Sequence, residues 1–498
     1  MRFRIETYHY RPMSISPLII ALLLLGSYLM APAQITSVSV GEDTVTILGS
    51  SPGGASQLVE LLPHQDVNGG IEVSASVGEG GFELELPRSV EGRDRIYSRW
   101  KLGGGHPMWA TDVSAAAEYA ELEPMVAKNR KGLGGIHSDP RLFDDLLELG
   151  IGHLTVNVPL REKFSDRRLR QLDRLLEFAH ENGIVVTAIL LIPPGSGGLV
   201  HPDCDPSAHY SLPDMTSVGG VQAFASTVRF LAERYCKPGA PHGRISHWIV
   251  GNEVDAGWVW TNGGEMTAEQ YMDEYHRAMR VAYYSVRRYD PGGKVFISLT
   301  HHWNSSHKPD PKRFYKPRHL LELLRDHCRR SGDFEWGLAY HPYADDLFNP
   351  RTWEDKLAHD SFDSPLITMK NIAVLERFMQ QPGFRYLGGE ARTILLSEQG
   401  YHSPEKAADG EVLQAAAIAY AWQQLKPLET IEAFHYHRWI DHEREGGLRC
   451  GLWTVKKGSI TSPERKKRSW GVFKALDSGD EASATGFAWE LIGEPANK

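Results

Sequence analysis

Two glutamates in this 498-residue chain each stand at the end of a short apolar run: Glu253 closes His247-Trp-Ile-Val-Gly-Asn-Glu, and Glu398 closes Ile394-Leu-Leu-Ser-Glu. A run that buries itself and then delivers a carboxylate is arranged for chemistry rather than packing. Two such groups can divide the cleavage of an acetal C–O bond: a protonated one donates to the leaving oxygen, and an ionised one attacks or stabilises the oxocarbenium-like carbon. A gap of about 5 to 5.5 Å between them would mean retention through a covalent intermediate, and one above roughly 6.5 Å inversion. The charge of Glu398 is expected to raise the proton affinity of Glu253, so that the pair titrates as a unit.

Residues so far apart in sequence need a scaffold that brings strand ends together. From about residue 131 short apolar runs alternate with amphipathic stretches. Strands are expected at Gly134–His137, His153–Val158, Val185–Leu191, Ile245–Val250, Val295–Leu299, Gly337–Tyr340, Ile394–Leu396 and Ile431–Tyr436. Helical periodicity falls between them at Pro140–Leu149, Asp166–Asn182, Val221–Tyr235, Thr267–Tyr289, His319–Arg329, Met369–Gln380 and Glu411–Gln424, with Lys466–Leu476 closing the ring. Eight strand–helix units predict an α/β fold, a closed (β/α)8 TIM barrel over 131–498 whose reactive groups sit at the carboxyl ends of the strands. An open doubly wound sheet fits less well, because no GxGxxG turn follows the first run.

Residues 34–100 read differently: five short alternating runs, Ile35–Val40, Thr44–Leu48, Gln57–Leu62, Ile71–Val77 and Gly81–Leu86, separated by Gly, Pro, Asp and Asn, predict a small β-sandwich. Residues 101–130, with Gly103-Gly-Gly, are expected to be a linker. Residues 1–33 read as an export signal, with Arg2, Arg4 and Arg11 ahead of the apolar run Pro17–Met30 and small residues Ala31-Pro-Ala33 at the cleavage point. The run is shorter than a bilayer span, so a secreted or periplasmic chain with no membrane span after processing is expected.

The two glutamates in this order resemble the retaining glycoside hydrolases of clan A, TIM-barrel enzymes with catalytic glutamates ending strands four and seven. The resemblance covers about Leu133–Leu476 in architecture and short stretches in residues. In that clan the acid/base follows an asparagine, as in Asn252-Glu253; Tyr340-His341-Pro342-Tyr343 is similar to the His-x-Tyr some members carry on strand six; Trp439 lies where many place the aromatic floor under the cleaved sugar. The resemblance implies Glu253 as acid/base, Glu398 as nucleophile, Tyr343 donating to Glu398, Asn252 on the sugar 2-hydroxyl, and no cofactor.

Other candidates follow from strand-end positions: His137 after strand one, Asn157 at strand two, His302 and Trp303 after strand five, Trp258 and Trp260 after strand four. Flat rings offer an apolar face to a pyranose, although a lone tryptophan is as readily core, as Trp248 within its strand should be. The plain alternative for each glutamate is a structural ion pair, and for His341 a satisfied core histidine.

Rival chemistries find less. The 22 histidines include His301-His302 and His435-Tyr-His437, but a metal-dependent amidohydrolase wants His-x-His on strand one, and His137 is alone there, so no metal is expected. A serine-hydrolase elbow is absent. The 54 basic against 63 acidic residues leave a net charge of −9, which offers no field for nucleic acid. The basic run from Lys456 to Arg468 is a solvated face. Cys204, Cys236, Cys328 and Cys450 fit either one or two disulfides or four buried thiols. The expectation is a secreted retaining glycosidase acting on a poly- or oligosaccharide; the alternative is a barrel that binds carbohydrate without turning it over.

Overall fold

The computed structural model describes residues 33–51, 56–78, 80–404 and 407–493. The expected export signal lies outside the described residues except for Ala33.

Eight parallel strands close into a barrel in chain order: Lys131–Leu133, His153–Pro159, Val185–Leu191, His247–Val250, Lys294–Thr300, Trp336–His341, Ile394–Gln399 and Ile431–Tyr436, the first pairing with the last at Leu133↔Tyr436. The third and eighth have the expected bounds. The first lies earlier than expected, because Gly135 turns left-handed at φ +58° and ends the run. Helices Leu142–Leu149, Asp166–Glu181, Val218–Tyr235, Ala268–Arg287, Pro317–Ser331, Ala373–Met379 and Gly410–Leu425 connect successive strands, and Arg468–Ala475 and Glu481–Ile492 follow the last.

The barrel interior is filled rather than open. Ile189, Leu191, Ile249, Phe296, Ala339, Leu395 and Ala433, from six strands, form one apolar cluster, each large side chain contributing about 1.5–3 kcal/mol by leaving water. A polar set shares the interior: the Thr155 hydroxyl lies 2.6 Å from His435 Nδ1, and His247 Nε2 lies 3.2 Å from Glu432 Oε1 on the eighth strand. Gly132 makes room for this set, since a Cβ there would sit 2.7 Å from His435 Nδ1.

The helix Ala268–Arg287 holds the fourth strand in place. Thr267 and Gln270 form a reciprocal capping box at its start. Tyr275 then donates to the Val250 carbonyl at 2.7 Å, and Tyr271 to that of Thr261 at 2.8 Å. Both rings are buried, so the strand end is tied to the helix behind it.

The N-terminal module consists of two facing sheets. One runs Gly80–Pro87, Thr44–Ser51, Gln34–Val40, Asp112–Val113, and the other Ile71–Val77, Ser56–Leu61, Arg99–Leu102. The expected linker is therefore partly built into the module: Asp112–Val113 pairs in parallel with Ser39 and Val40, and Trp109 is buried against His276 and Tyr284. The module docks on the helix behind strand four, where Tyr284 donates to the Ala110 carbonyl at 2.8 Å and the Tyr97 and Ser285 hydroxyls lie 2.9 Å apart.

All four cysteines are free thiols, so the disulfide alternative is not taken; they lie on separate elements, and Cys236, for one, contacts the Ile245 carbonyl at 3.7 Å. Among the described residues no helix is long and apolar enough to cross a membrane.

Candidate active site

The fourth strand delivers Glu253 through a tight backbone turn. Gly251 has φ +75°, and Glu253 itself is left-handed at φ 41°, ψ 58°. A non-glycine residue rarely adopts that region, and strain of this kind costs about 1–3 kcal/mol and persists only where the surroundings impose it. The surroundings do so here. The Glu253 amide donates to Ser298 Oγ at 3.1 Å, Thr261 Oγ1 donates to the Asn252 carbonyl at 2.8 Å, and Asp255 accepts from the Thr300 amide and hydroxyl at 2.9 and 2.5 Å. Burial pushes the Asp255 carboxyl up to about 7 against those two donors.

The seventh strand delivers Glu398, and a bulge between Leu396 and Gln399 turns it out of the ladder. Gln399 is fixed by donating to the His435 carbonyl at 2.6 Å. Gly400 permits the close pass of the next segment, since a Cβ there would overlap the His437 carbonyl oxygen.

Between the two glutamates stands the end of strand six. Tyr343 donates its hydroxyl to Glu398 Oε1 at 2.8 Å, and His341 Nδ1 lies 2.9 Å from Glu253 Oε1. One side-chain atom from each of Glu253, His341 and Glu398 lies within 4.8 Å of the other two. The three converge at the carboxyl end of the barrel, with Glu253 15% exposed and His341 fully enclosed.

The electrostatics of the site favour an ionised Glu398. Burial pushes Glu398 upward, but His437, His341 and the Tyr343 hydroxyl outweigh it and hold the carboxyl below its usual range, ionised. Burial alone would lower His341; the charges of Glu398 and Glu253 reverse this and raise it. Tyr343 is pushed far up by burial and by Glu398, so it stays a donor.

The remaining candidates divide. Asn252 is partly buried beside Glu253, and its side-chain amide makes no hydrogen bond among the described residues. Asn157 is exposed and lies two residues beyond the interior-facing Thr155, hence on the face that opens at the mouth. His302 is partly buried, its Nδ1 3.1 Å from Ser305 Oγ, and burial followed by His307 lowers it to about 4. His137 bonds to the Arg438 guanidinium and stacks on His442 at 5.6 Å; burial and then Arg438 lower it to about 4.

Two expected cleft tryptophans are core instead. Trp439 is fully enclosed and donates to Asp145 Oδ2 on the first helix at 2.8 Å. Trp303 is likewise enclosed, donates to the Phe362 carbonyl at 2.9 Å and meets Phe378 edge-on. Each indole N–H finds its partner within packed protein, and that partner decides which way the ring faces. Trp248 is core, as expected. Trp258 and Trp260 are partly exposed, with Arg313 lying 4.0 Å over the former.

Sequence reasoning misses the charged cluster just past strand eight. Arg438 is ion-paired with Glu445, and His437 Nε2 lies 3.3 Å from the same oxygen. Burial opposes ionisation of Glu445, but His437 and Arg438 outweigh it and hold it down to about 2. Their position directly after a barrel strand was the available signal. Tyr210, at the mouth, lies deep in the loop after strand three, where no periodicity marks it.

Structures similar to this chain include a family 39 glycoside hydrolase from the gut symbiont Bacteroides cellulosilyticus WH2, 13% identical with 90% of this chain and 83% of that chain covered and a TM-score of 0.48. A glucosidase from Croceicoccus marinus is 14% identical, covering 71% and 68%, with a TM-score of 0.45. The exo-beta-1,4-mannosidase Op5Man5 from Opitutaceae bacterium strain TAV5 is 14% identical, covering 76% and 63%, with a TM-score of 0.44. No curated protein matches the chain. Residues 161–498, more than half of the sequence, match the family described as "Family of unknown function (DUF5722)", and the chain belongs to that family.

Proposed function

We propose that this protein is a retaining glycoside hydrolase acting on a poly- or oligosaccharide outside the cytoplasm. The observation that carries the reading is the meeting of Glu253 and Glu398 within 4.8 Å, each held by its own strand-six partner. That spacing suits direct attack by one carboxylate and leaves little room for the water that inversion requires.

In this reading Glu398, ionised and aimed by Tyr343, attacks the anomeric carbon as the glycosidic bond breaks. The proton shared along the 2.9 Å line between Glu253 and His341 passes to the leaving oxygen. Glu253 then takes a proton from water, which attacks the glycosyl–Glu398 ester and releases the sugar with its configuration kept. Asn252, with its amide open, is placed to bind the neighbouring hydroxyl. The basic residues and apolar run within 1–33 support export as part of the proposal.

Mass spectrometry of protein treated with 2-fluoro glycosides carrying a good leaving group tests the reading: a stable adduct on the Glu398 peptide is expected, and a carbohydrate-binding barrel without turnover acquires none. A second reading has one observation behind it, because Glu253, His341 and Glu398 also satisfy the spacing for three ligands of a divalent cation. A metal-dependent hydrolase loses its activity to EDTA, whereas a two-glutamate mechanism is indifferent to it.

A further inference from the structure

With Trp439 and Trp303 turned into the core, the sugar's apolar face needs a different partner. Tyr210 is partly exposed and packs on the interior cluster formed by Leu191, Ile249 and their neighbours, so it caps the barrel from the mouth side. Burial, and then the charge of Glu398, raise its hydroxyl. Among the described residues that hydroxyl has no hydrogen-bond partner.

The ring is held in a built position. The Ser211 amide donates to the Ile192 carbonyl at 2.8 Å, the Asn262 amide to the Tyr210 carbonyl at 2.9 Å, and the His209 amide to the Val259 carbonyl at 2.9 Å. These bonds strap the loop after strand three to the segment that follows Glu253. Trp260 lies at 28° to the Tyr210 ring with centroids 6.2 Å apart, and His209 stacks on its indole at 4.6 Å. Three rings thus stack in series from exposed His209 through Trp260 to Tyr210 on the barrel's apolar cluster.

We propose that Tyr210 is the aromatic platform for the sugar that reacts between Glu253 and Glu398, placing that platform on the strand-three side of the mouth. A flat ring packed on a fixed apolar layer meets the C–H face of a pyranose without cost in loop ordering. The hydroxyl, without a partner among the described residues, is in place to donate to a sugar oxygen. The inference rests on the glycosidase reading above.

The test measures the rate of covalent trapping by 2,4-dinitrophenyl 2-deoxy-2-fluoro glycosides of gluco, galacto, manno and xylo configuration, with thermal melting as a check on folding. Tyr210→Ala should trap at least about tenfold more slowly than the wild type when both are assayed well below their melting temperatures, and Tyr210→Phe, which restores the ring, should recover most of that loss. Trapping of Tyr210→Ala at the wild-type rate overturns the platform and leaves the glycosidase reading standing. A wild-type protein that none of the four sugars labels overturns that reading, and the platform with it.

Discussion

Nδ1 of His341 lies 2.9 Å from Oε1 of Glu253, while Nε2 of the same buried ring has no partner among the described residues. A histidine with one polar contact in a closed environment is committed to that contact. In the glycosidase reading the ring stores and returns the proton that Glu253 donates, and its charge helps keep Glu398 ionised. His341→Leu should therefore lower kcat/KM by about 10- to 150-fold, the range of one hydrogen bond to a charged group. It should also move the acidic limb of the pH profile upward, because Glu398 loses a neighbour that lowers it. A variant with an unshifted acidic limb would separate His341 from the chemistry.

The Tyr343 hydroxyl is the one hydrogen-bond donor to Glu398 seen among the described residues. Tyr343→Phe removes a bond to a charged group worth about 1.5–3 kcal/mol, which is about 10- to 150-fold in rate because that bond orients Glu398 and holds it ionised for attack. The acidic limb should again rise. Steady-state kinetics across pH 4 to 8, roughly the span in which such carboxylates and histidines titrate, decides the matter; a loss confined to KM would mean that Tyr343 only shapes the pocket.

Trp439 carries the opposite expectation. Its indole and that of Trp453 both donate to Asp145 Oδ2, at 2.8 and 2.9 Å. Trp439→Phe should cost about 1–3 kcal/mol of stability by urea melting, through the lost bond and lost volume, with KM unchanged. A raised KM at unchanged stability would return Trp439 to the cleft.

Much of this arrangement was legible in the sequence because barrel strands are short, apolar and evenly interleaved with helices: the runs Val185–Leu191 and Ile431–Tyr436 have the bounds their residues imply. Glu253 and Glu398 stood out because a carboxylate ending such a run has no packing role. Ring orientation was not legible. Trp303 and Trp439 occupy loops after strands, as a cleft residue would, and only Phe362 and Asp145, distant in sequence, turn them inward. Tyr210 escaped notice for the same reason, because a hydrogen-bonded strap and not a periodic pattern places it. The helix Glu481–Ile492 was missed because Ala, Gly and Thr spread its apolar residues around the axis. The polar barrel interior was unexpected, since barrel layers are usually branched and apolar.

That interior should show in acid. His153 is enclosed, neither of its nitrogens has a partner among the described residues, and burial, aided by His247, lowers it to about 4 from an ordinary 6.5. Between those values the unfolded chain binds a proton that the folded one refuses, so this residue's contribution falls as pH drops from 6.5 toward 4, at about 1.4 kcal/mol per unit. His153→Leu should match the wild type to within about 1 kcal/mol at neutral pH and exceed it by about 2 kcal/mol at pH near 5, by urea melts at each pH. A stability difference independent of pH would contradict the burial of an uncharged ring.

The roles of the two glutamates are tested most directly by azide rescue, with the anomeric configuration of the glycosyl azide read by NMR. Glu398→Ala should regain turnover and yield the azide of inverted configuration; Glu253→Ala, given a substrate with a good leaving group, should yield the azide of retained configuration. Near wild-type rates in both variants without azide, or the same configuration from each, would contradict a nucleophile at 398 facing an acid/base at 253.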